Sequence, residues 1–385
     1  MIVGIIGAGT MGREIALLAA GFQHDVYVFD PSESAIESAK NLLVKNLRAR
    51  IEKGKITEEV SKKIEASHHW IQNMESFLSC DIVIEAIVEN VDIKKNVFSQ
   101  LEQIVSPSCI IASNTSSISI TSLASSLKNP GRFIGIHFFN PASLMPLVEI
   151  IPALQTSPDV IARAQQIIAS WNKSLVLAKD TPGFIVNRIA RPYYGEAIKM
   201  LEEGIASEAT IDWAMTELCG FKMGPFTLMD FIGHDVNYLV TEIIFKEFYF
   251  DNRYKPSFTQ KRLLEAGYLG RKSGKGFYEY ADNSINPLPD KNEELGKKIS
   301  NRILVMLINE AADALYQNIA TRDDIDISMT KGVNYPIGLL KWADEMGIQN
   351  CVLQLDMLFD YYHDERYRCS PILRNMAEKN VLFYT

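Results

Sequence analysis

The opening stretch, MIVGIIGAGTMGREIALLAAGFQHDVYVFD, constrains the fold more than any other part of the chain. Ile2 to Ile6 is short, apolar and β-branched, and reads as a buried strand. Gly7, Gly9 and Gly12 follow at G-x-G-x-x-G spacing, Ile15 to Ala20 continue as a helix, and Asp25 to Phe29 form a second strand that ends at Asp30. Strand, glycine turn, helix, strand and acid, in that order, are what a dinucleotide site requires. Gly7 permits a tight turn, Gly9 lets the backbone approach a pyrophosphate, and Gly12 lets helix and strand pack closely. The helix N-terminus presents free N–H groups and a positive dipole end to the phosphates. The binding loop is therefore Gly7, Ala8, Gly9, Thr10, Met11 and Gly12. Asp30 is placed to accept hydrogen bonds from a ribose diol, and its charge repels a 2′-phosphate. Pro31-Ser32-Glu33 offers no Arg to hold such a phosphate, so the expected cofactor is NAD rather than NADP.

Strands and helices then alternate. Asp81 to Ala86, Ile110 to Ala112, Ile134 to Phe139, Val148 to Ile151 and Leu175 to Ala178 read as strands, and Asp92 to Ile104 as a helix. This predicts a Rossmann-type, doubly wound α/β domain over residues 1–182, its ligand beyond the carboxyl ends of the strands, where Ser113 to Ser117 and His137 to Pro141 lie. Between the first strands, Ser32 to Lys55 is an amphipathic helix with a stripe of Ile36, Ala39, Leu43, Leu47 and Ile51. Its other side is basic, through Lys40, Lys45, Arg48, Arg50, Lys53 and Lys55. Two readings stand: a solvated face, or a cradle for an anionic substrate handle such as a phosphorylated nucleotide.

After Thr181-Pro182-Gly183 the strand signals fade. Phe184 to Glu203, Ser207 to Cys219, Pro225 to Phe250 and Phe258 to Ala266 predict an all-α domain over 183–281, followed by a Pro-containing linker at 282–297. Residues 298–385 repeat that helical domain. At an offset of 114, Asn187-Arg188-Ile189 falls on Asn301-Arg302-Ile303 and Glu196-Ala197 on Glu310-Ala311, while Asp230 meets Asp344. The expected fold class is thus an α/β Rossmann-type domain followed by two tandem all-α domains. The second copy lacks an equivalent of the glycine-rich loop Leu269 to Phe277 and reads as a scaffold.

A net charge of −8 and a pI near 5.4 argue against a nucleic-acid surface, and no run of apolar residues is long enough for a membrane span. The first strand begins at Ile2, which leaves no room for a cleaved leader, and five scattered cysteines show no metal-ligand spacing. A cytoplasmic protein without a metal is expected.

Two residues carry the chemistry best. His137 ends an apolar strand, and Glu149 lies within Leu147-Val148-Glu149-Ile150-Ile151, where an unpaired carboxylate is costly. One reading is a satisfied core histidine beside an unrelated glutamate. The other is a Glu-oriented imidazole that takes the proton of an alcohol while hydride leaves the same carbon for a nicotinamide. Ser116, in a Ser/Asn/Thr cluster, is either a helix N-cap or a polar contact for substrate. Asn187 opens the first helix after the Thr181-Pro182-Gly183 break.

GAGTMG at Gly7 to Gly12, EAIVEN at Glu85 to Asn90, SNTSS at Ser113 to Ser117, GIHFFNP at Gly135 to Pro141 and DTPGFIVNR at Asp180 to Arg188 together resemble the 3-hydroxyacyl-CoA dehydrogenases. MGPF at Met223 to Phe226 and GRKSGKGFY at Gly270 to Tyr278 fit too. The resemblance implies that His137 is the general base, oriented by Glu149. It implies that Ser116 and Asn187 hold the substrate hydroxyl and acyl carbonyl, and that Glu89, Lys94, Asn140 and Lys272 join the glycines and Asp30 around NAD. Asn46 and Lys53 sit where family members touch coenzyme A. Single-copy relatives dimerise through the helical domain, so here the two copies are expected to pair within one chain, with a homodimer as a further state. The implied reaction is reversible NAD-dependent oxidation of an (S)-3-hydroxyacyl-CoA to the 3-oxoacyl-CoA in fatty-acid metabolism. A short chain such as 3-hydroxybutyryl-CoA is expected. A dicarboxylic 3-hydroxyadipyl-CoA from aromatic-acid breakdown, a non-CoA hydroxy acid and a non-catalytic dinucleotide-binding protein are the rival readings.

Overall fold

The computed structural model describes residues 1–384 and divides the chain into two compact units, Met1–Thr181 and Pro182–Thr385. In the first, the strands are β1 (Ile2–Ile6), β2 (Asp25–Phe29), β3 (His68–Ile71), β4 (Ile82–Glu85), β5 (Ile110–Ser113), β6 (Phe133–Phe138), β7 (Leu147–Pro152) and β8 (Ser174–Leu177). They form one sheet in the order β3-β2-β1-β4-β5-β6-β7-β8, parallel throughout except where β6 meets β7. Helices α1 (Thr10–Gly21), α2 (Glu33–Glu52), α3 (Glu58–Ala66), α4 (Val91–Ile104), α5 (Ile120–Ala124) and α6 (Pro158–Ser170) complete the unit. The sheet core is β-branched, with Val3, Ile5, Val26, Val28, Ile82, Ile84 and Ile110 fully buried, as parallel strands covered on both faces require. β3, reading His-His-Trp-Ile, was invisible to hydrophobic periodicity. It is a four-residue edge strand without an alternating apolar pattern; it adds to β2 through parallel backbone pairing and through His69, which meets Asp25 and the Tyr27 ring.

The second unit holds α7 (Val186–Ile189), α8 (Arg191–Glu202), α9 (Glu208–Trp213), α10 (Pro225–Ile232), α11 (His234–Glu247), α12 (Phe258–Glu265), α13 (Glu293–Tyr316), α14 (Arg322–Gly332), α15 (Leu339–Met346), α16 (Ile348–Tyr362) and α17 (Pro371–Lys379). The continuous helix expected over Pro225 to Phe250 is broken at Gly233, whose φ of +97° most side chains cannot adopt. His234 then reaches back across the break to Asp230, Nε2 to Oδ1 at 2.8 Å. The expected helix over Phe184 to Glu203 is likewise split, into α7 and α8. The linker is shorter than composition suggested, because Asn292 caps α13 and starts the helix at Glu293.

The offset of 114 is written into the hydrogen bonds. Asp212 accepts from the backbone N–H groups of Phe226 and Thr227, and Asp326 accepts from those of Leu340 and Lys341. Asp230 accepts from Phe277 and Tyr278 N–H, both at 2.9 Å, and Asp344 from Phe383 and Tyr384 N–H, both at 2.8 Å. The second copy thus omits the glycine-rich loop but keeps the Phe-Tyr pair that closes it.

The buried ion pairs of this unit are reciprocal. Arg188 Nε donates to Glu310 Oε1 at 2.7 Å, and its equivalent Arg302 Nε donates to Glu196 Oε2 at 3.0 Å. Arg253 and Tyr254 also reach Glu310, while Arg366 and Tyr367 reach Glu196. Each half therefore neutralises a buried carboxylate of the other. Burial opposes the charge on Glu310, but the guanidiniums of Arg253 and Arg188 hold its carboxyl below the ordinary 4.5. A carboxylate with a depressed folded pKa contributes stability that is full above that ordinary value and lost as pH falls through the depressed one. Arg188→Ala and Arg302→Ala are each expected to cost up to about 3–5 kcal/mol, since each takes one of two guanidiniums away from a buried carboxylate. Urea denaturation at neutral pH reads this, and the loss should shrink on acidification. Equal stability of both variants and the parent would remove the network from the account.

Candidate active site

The site is built beyond the carboxyl ends of the paired strands β1 and β4, where the strand order turns from one side of the sheet to the other and an open α/β sheet leaves a crevice. The three glycines of the turn differ in what holds them there. A Cβ at Gly12 would lie 1.9 Å from the Gly7 carbonyl oxygen, so the helix packs too closely on the turn for any side chain. Gly7 has φ +106° and would clash with Ala86. At Gly9, by contrast, a Cβ would meet nothing within 4 Å, and φ is an ordinary −68°. The fold does not require that glycine, which leaves the backbone there open to the close approach of a ligand. Gly9 caps α1 without a side-chain hydrogen bond, and the first turn from Thr10 carries no acid, so the turn is electrostatically ready for phosphate. The cradle therefore fits the pyrophosphate of a dinucleotide. Asp30 braces the same turn, Oδ2 accepting from Ala8 N–H at 2.9 Å and Oδ1 from Ser32 N–H at 2.9 Å, with a further lone pair on each oxygen.

At the end of β4, Glu85 is fully buried and had drawn no role from sequence. It accepts from Lys94 Nζ at 2.5 Å and Ser113 Oγ at 2.6 Å. Lys94 is itself only 1% exposed and also pairs with Glu89 at 3.2 Å, so it braces Glu89 rather than standing open at the surface. Burial opposes the charge on Glu89, yet Lys94 and the hydroxyls of Thr115 and Ser117 hold its carboxyl below its usual range. Glu89 Oε1 accepts from the Thr115 hydroxyl, from Ser116 N–H at 3.2 Å and from Ser117 Oγ at 3.1 Å, which organises the Ser113 to Ser117 loop. Ser116 does not cap the following helix: Ser119 caps α5, which leaves the Ser116 side chain half-buried on the loop.

His137 and Glu149 meet. The antiparallel register of β6 and β7 sets them directly opposite each other, and His137 Nδ1 lies 2.6 Å from Glu149 Oε2. Glu149 is fully buried and His137 6% exposed. Beside them Asn114 Oδ1 accepts from Phe138 N–H at 2.8 Å and ties the end of β5 to the end of β6. A cavity of about 150 Å³ brings Thr10, Asn46, His68, Trp70 and the exposed Asn140 together. Lys53 caps the C-terminal end of α2 and is exposed, without an ion-pair partner among the described residues. In the second unit Asn187 is half-exposed, while its neighbours from Gly183 to Tyr194 are all buried. Lys272, also of that unit, pairs with Asp235 at 2.5 Å.

Comparison with known proteins places this constellation. Residues 2–181 match the family model "3-hydroxyacyl-CoA dehydrogenase, NAD binding domain", and residues 183–280 and again 299–383 match "3-hydroxyacyl-CoA dehydrogenase, C-terminal domain". The chain belongs to the 3-hydroxyacyl-CoA dehydrogenase family. It is 34% identical to a 3-hydroxyadipyl-CoA dehydrogenase of Escherichia coli K12, over 97% of each chain. It is 42% identical to a probable 3-hydroxybutyryl-CoA dehydrogenase of Deinococcus radiodurans, over 72% of this chain and 99% of the relative. The crystal structure of a 3-hydroxybutyryl-CoA dehydrogenase from Escherichia coli K12 superposes with a TM-score of 0.91 at 33% identity, over 98% of both chains. Membership makes the protein an NAD-dependent oxidoreductase, and no helix among the described residues is long and apolar enough to cross a membrane.

The glycine geometry gives a sharp test. Gly9→Ala is expected to keep the parent melting temperature and to weaken NAD binding by roughly tenfold or more, because the new methyl occupies only the ligand's space. Gly12→Ala should fail on stability first. Calorimetric titration with NAD separates them, and undiminished affinity in Gly9→Ala contradicts the assignment of the cradle.

Proposed function

We propose that the protein catalyses the reversible oxidation of a short-chain (S)-3-hydroxyacyl-CoA to the 3-oxoacyl-CoA. The observation that carries this reading is the buried His137–Glu149 pair, 2.6 Å apart, in a chain of this family. Glu149 fixes the imidazole through Nδ1, selects the tautomer that leaves Nε2 basic, and steadies the imidazolium once Nε2 has taken the hydroxyl proton. NAD, when bound, accepts the hydride from the same carbon. Ser116 and Asn187 hold the hydroxyl and the acyl carbonyl, and Asn140 and Lys272 join Gly7 to Gly12, Asp30 and Glu89 around the cofactor. Asn46 and the open basic end of α2 at Lys53 receive the anionic coenzyme A handle.

The reciprocal ion pairs support a second element of the reading. The two helical copies pair within one chain and stand in for the dimer of single-copy relatives, so the smallest active species is one chain. The five thiols are all free, and burial pushes those of Cys80, Cys109 and Cys351 up to about 12, which suits a protein of the reducing cytoplasm.

His137→Ala is expected to bind NAD normally while turnover falls by several orders of magnitude, and Glu149→Gln to lower kcat by roughly two orders with little change in KM. Acetoacetyl-CoA reduction followed at the NADH absorbance is the readout, and a near-parental rate in His137→Ala would end this assignment. Light scattering should find active species of about 43.3 kDa. An obligate dimer built through residues 187–281 would overturn the internal pairing.

A further inference from the structure

Every buried arginine of the second unit but one faces a carboxylate: Arg188 has Glu310 and Asp313, Arg302 has Glu196 and Glu203, and Arg366 has Glu196 and Asp364. Arg191, only 6% exposed, has none among the described residues. Its Nε donates to the Asn187 carbonyl at 3.0 Å, and its Nη1 to Thr241 Oγ1 at 3.1 Å and to the Asn237 carbonyl at 3.5 Å. These neutral partners orient the guanidinium without cancelling its charge, and desolvation pulls its pKa down accordingly. Arg191 lines a cavity of about 380 Å³ with Gly195, Thr241, Ser257, Gln260 and the exposed Lys255, all residues of the second unit. The two acids at its rim are already engaged, Glu202 with the Thr259 hydroxyl at 2.6 Å and Asp364 with Arg366 at 3.3 Å and Lys199 at 3.6 Å.

The internal repeat shows what this region needs for packing alone. At the offset of 114, Arg191, Tyr194, Asn237 and Thr241 correspond to Val305, Ile308, Cys351 and Leu355, all fully buried. Gln260, which bonds to Asn237 Oδ1 at 2.9 Å, corresponds at an offset of 113 to Leu373, also fully buried. The same helices therefore close over an apolar cluster in one copy and over an uncompensated guanidinium beside a cavity in the other. Packing does not demand the charge.

Nor does it demand the cavity. Gly195 lies inside α8, where glycine is less favourable than alanine, and a Cβ there would meet nothing within 4 Å. Its counterpart at the offset of 114 is Asn309, which is buried and bridges to the next segment. Asn309 Nδ2 donates to the Arg368 carbonyl at 3.0 Å, and Oδ1 accepts from Ser370 N–H at 2.7 Å. Arg368 and Ser370 correspond at the offset of 113 to Lys255 and Ser257, which line the cavity. One copy thus fills this space with a side chain whose oxygen accepts from the backbone. The other leaves it open beneath a cation. A buried guanidinium with oriented but neutral partners, opening on such a space, suits an acceptor that carries negative charge.

We propose that the second unit holds a site of its own for a small free oxyanion, a carboxylate or a phosphate, with Arg191 as its charge and Gly195 as its opening. The oxyanion cancels the charge that no protein group answers, and its oxygens take the place that the Asn309 carboxamide fills in the other copy. Binding there stabilises the folded chain in proportion to occupancy.

The test titrates inorganic phosphate and propionate into the NAD-saturated enzyme at constant ionic strength, so that the dinucleotide cradle is already filled. Calorimetry and the melting temperature are the readouts. The parent should bind one of the two anions saturably, which identifies the source as phosphate or carboxylate, and its melting temperature should rise with that anion. Arg191→Met and Gly195→Asn, the second copying Asn309, should each weaken binding by roughly tenfold or more. Val305 shows that the repeat tolerates an apolar residue at this position, and Arg191→Val serves should the Met variant not fold. Absence of saturable binding by either anion, or parental affinity in either variant, overturns the proposal. Coenzyme A is titrated in parallel. An equal loss of coenzyme A affinity in Arg191→Met would make the anion a phosphate of the substrate and overturn a separate site.

Discussion

A charge taken out of water must find its opposite, and this constraint organises both units of the protein. Glu85 at the end of β4 is held by Lys94, and Glu196 and Glu310 by arginines of the other helical copy, while Glu149 on β7 has the His137 imidazole as its hydrogen-bond partner. None of these carboxylates reaches bulk solvent. The pairing fixes geometry as well as energy. Lys94 can satisfy Glu85 and Glu89 together only if the loop at Glu89 stands over α4, and that loop in turn gathers Thr115, Ser116 and Ser117. A polar network of this kind specifies one arrangement, because any other leaves a charge unanswered.

The two helical copies show what duplication does to such a network. In a two-fold pair of identical chains, a contact from one residue to a second is repeated from the second chain to the first. Here Arg188 to Glu310 and Arg302 to Glu196 obey that rule inside one polypeptide. Where the first copy holds Arg191, Asn237, Thr241 and Gln260, the second holds Val305, Cys351, Leu355 and Leu373, a conventional core. The acid clamps at Asp326 and Asp344, which hold helix starts and the chain end, are unchanged in kind, since those are demands of the fold.

The His137–Glu149 pair shows how a β-register brings two distant side chains together. β6 and β7 are the antiparallel neighbours of a sheet that is otherwise parallel, and antiparallel pairing places residues face to face across a short connection. A shift by one residue would send His137 and Glu149 to opposite faces of the sheet. The apolar residues on either side, Ile136 and Phe138, Val148 and Ile150, are all buried and hold the register against that slip.

What the amino-acid sequence determined by itself was whatever depends on local chain chemistry. The glycine turn, the acid at Asp30, the β-branched strands and the repeat at a constant offset all follow from neighbours in the chain, and the family motifs lie within such segments. Local patterns could not reveal β3, whose residues are polar and whose place comes from pairing with β2, nor the helix break at Gly233, which needs a backbone angle rather than a composition. His137 and Glu149 could be nominated separately, but only the strand register put them 2.6 Å apart. The burial of Lys94 beneath Glu89, the capping of α5 by Ser119 instead of Ser116, and the isolation of Arg191 among neutral partners were likewise decided by tertiary structure. Those are questions of which charges meet in three dimensions, and a one-dimensional pattern carries charge without carrying distance.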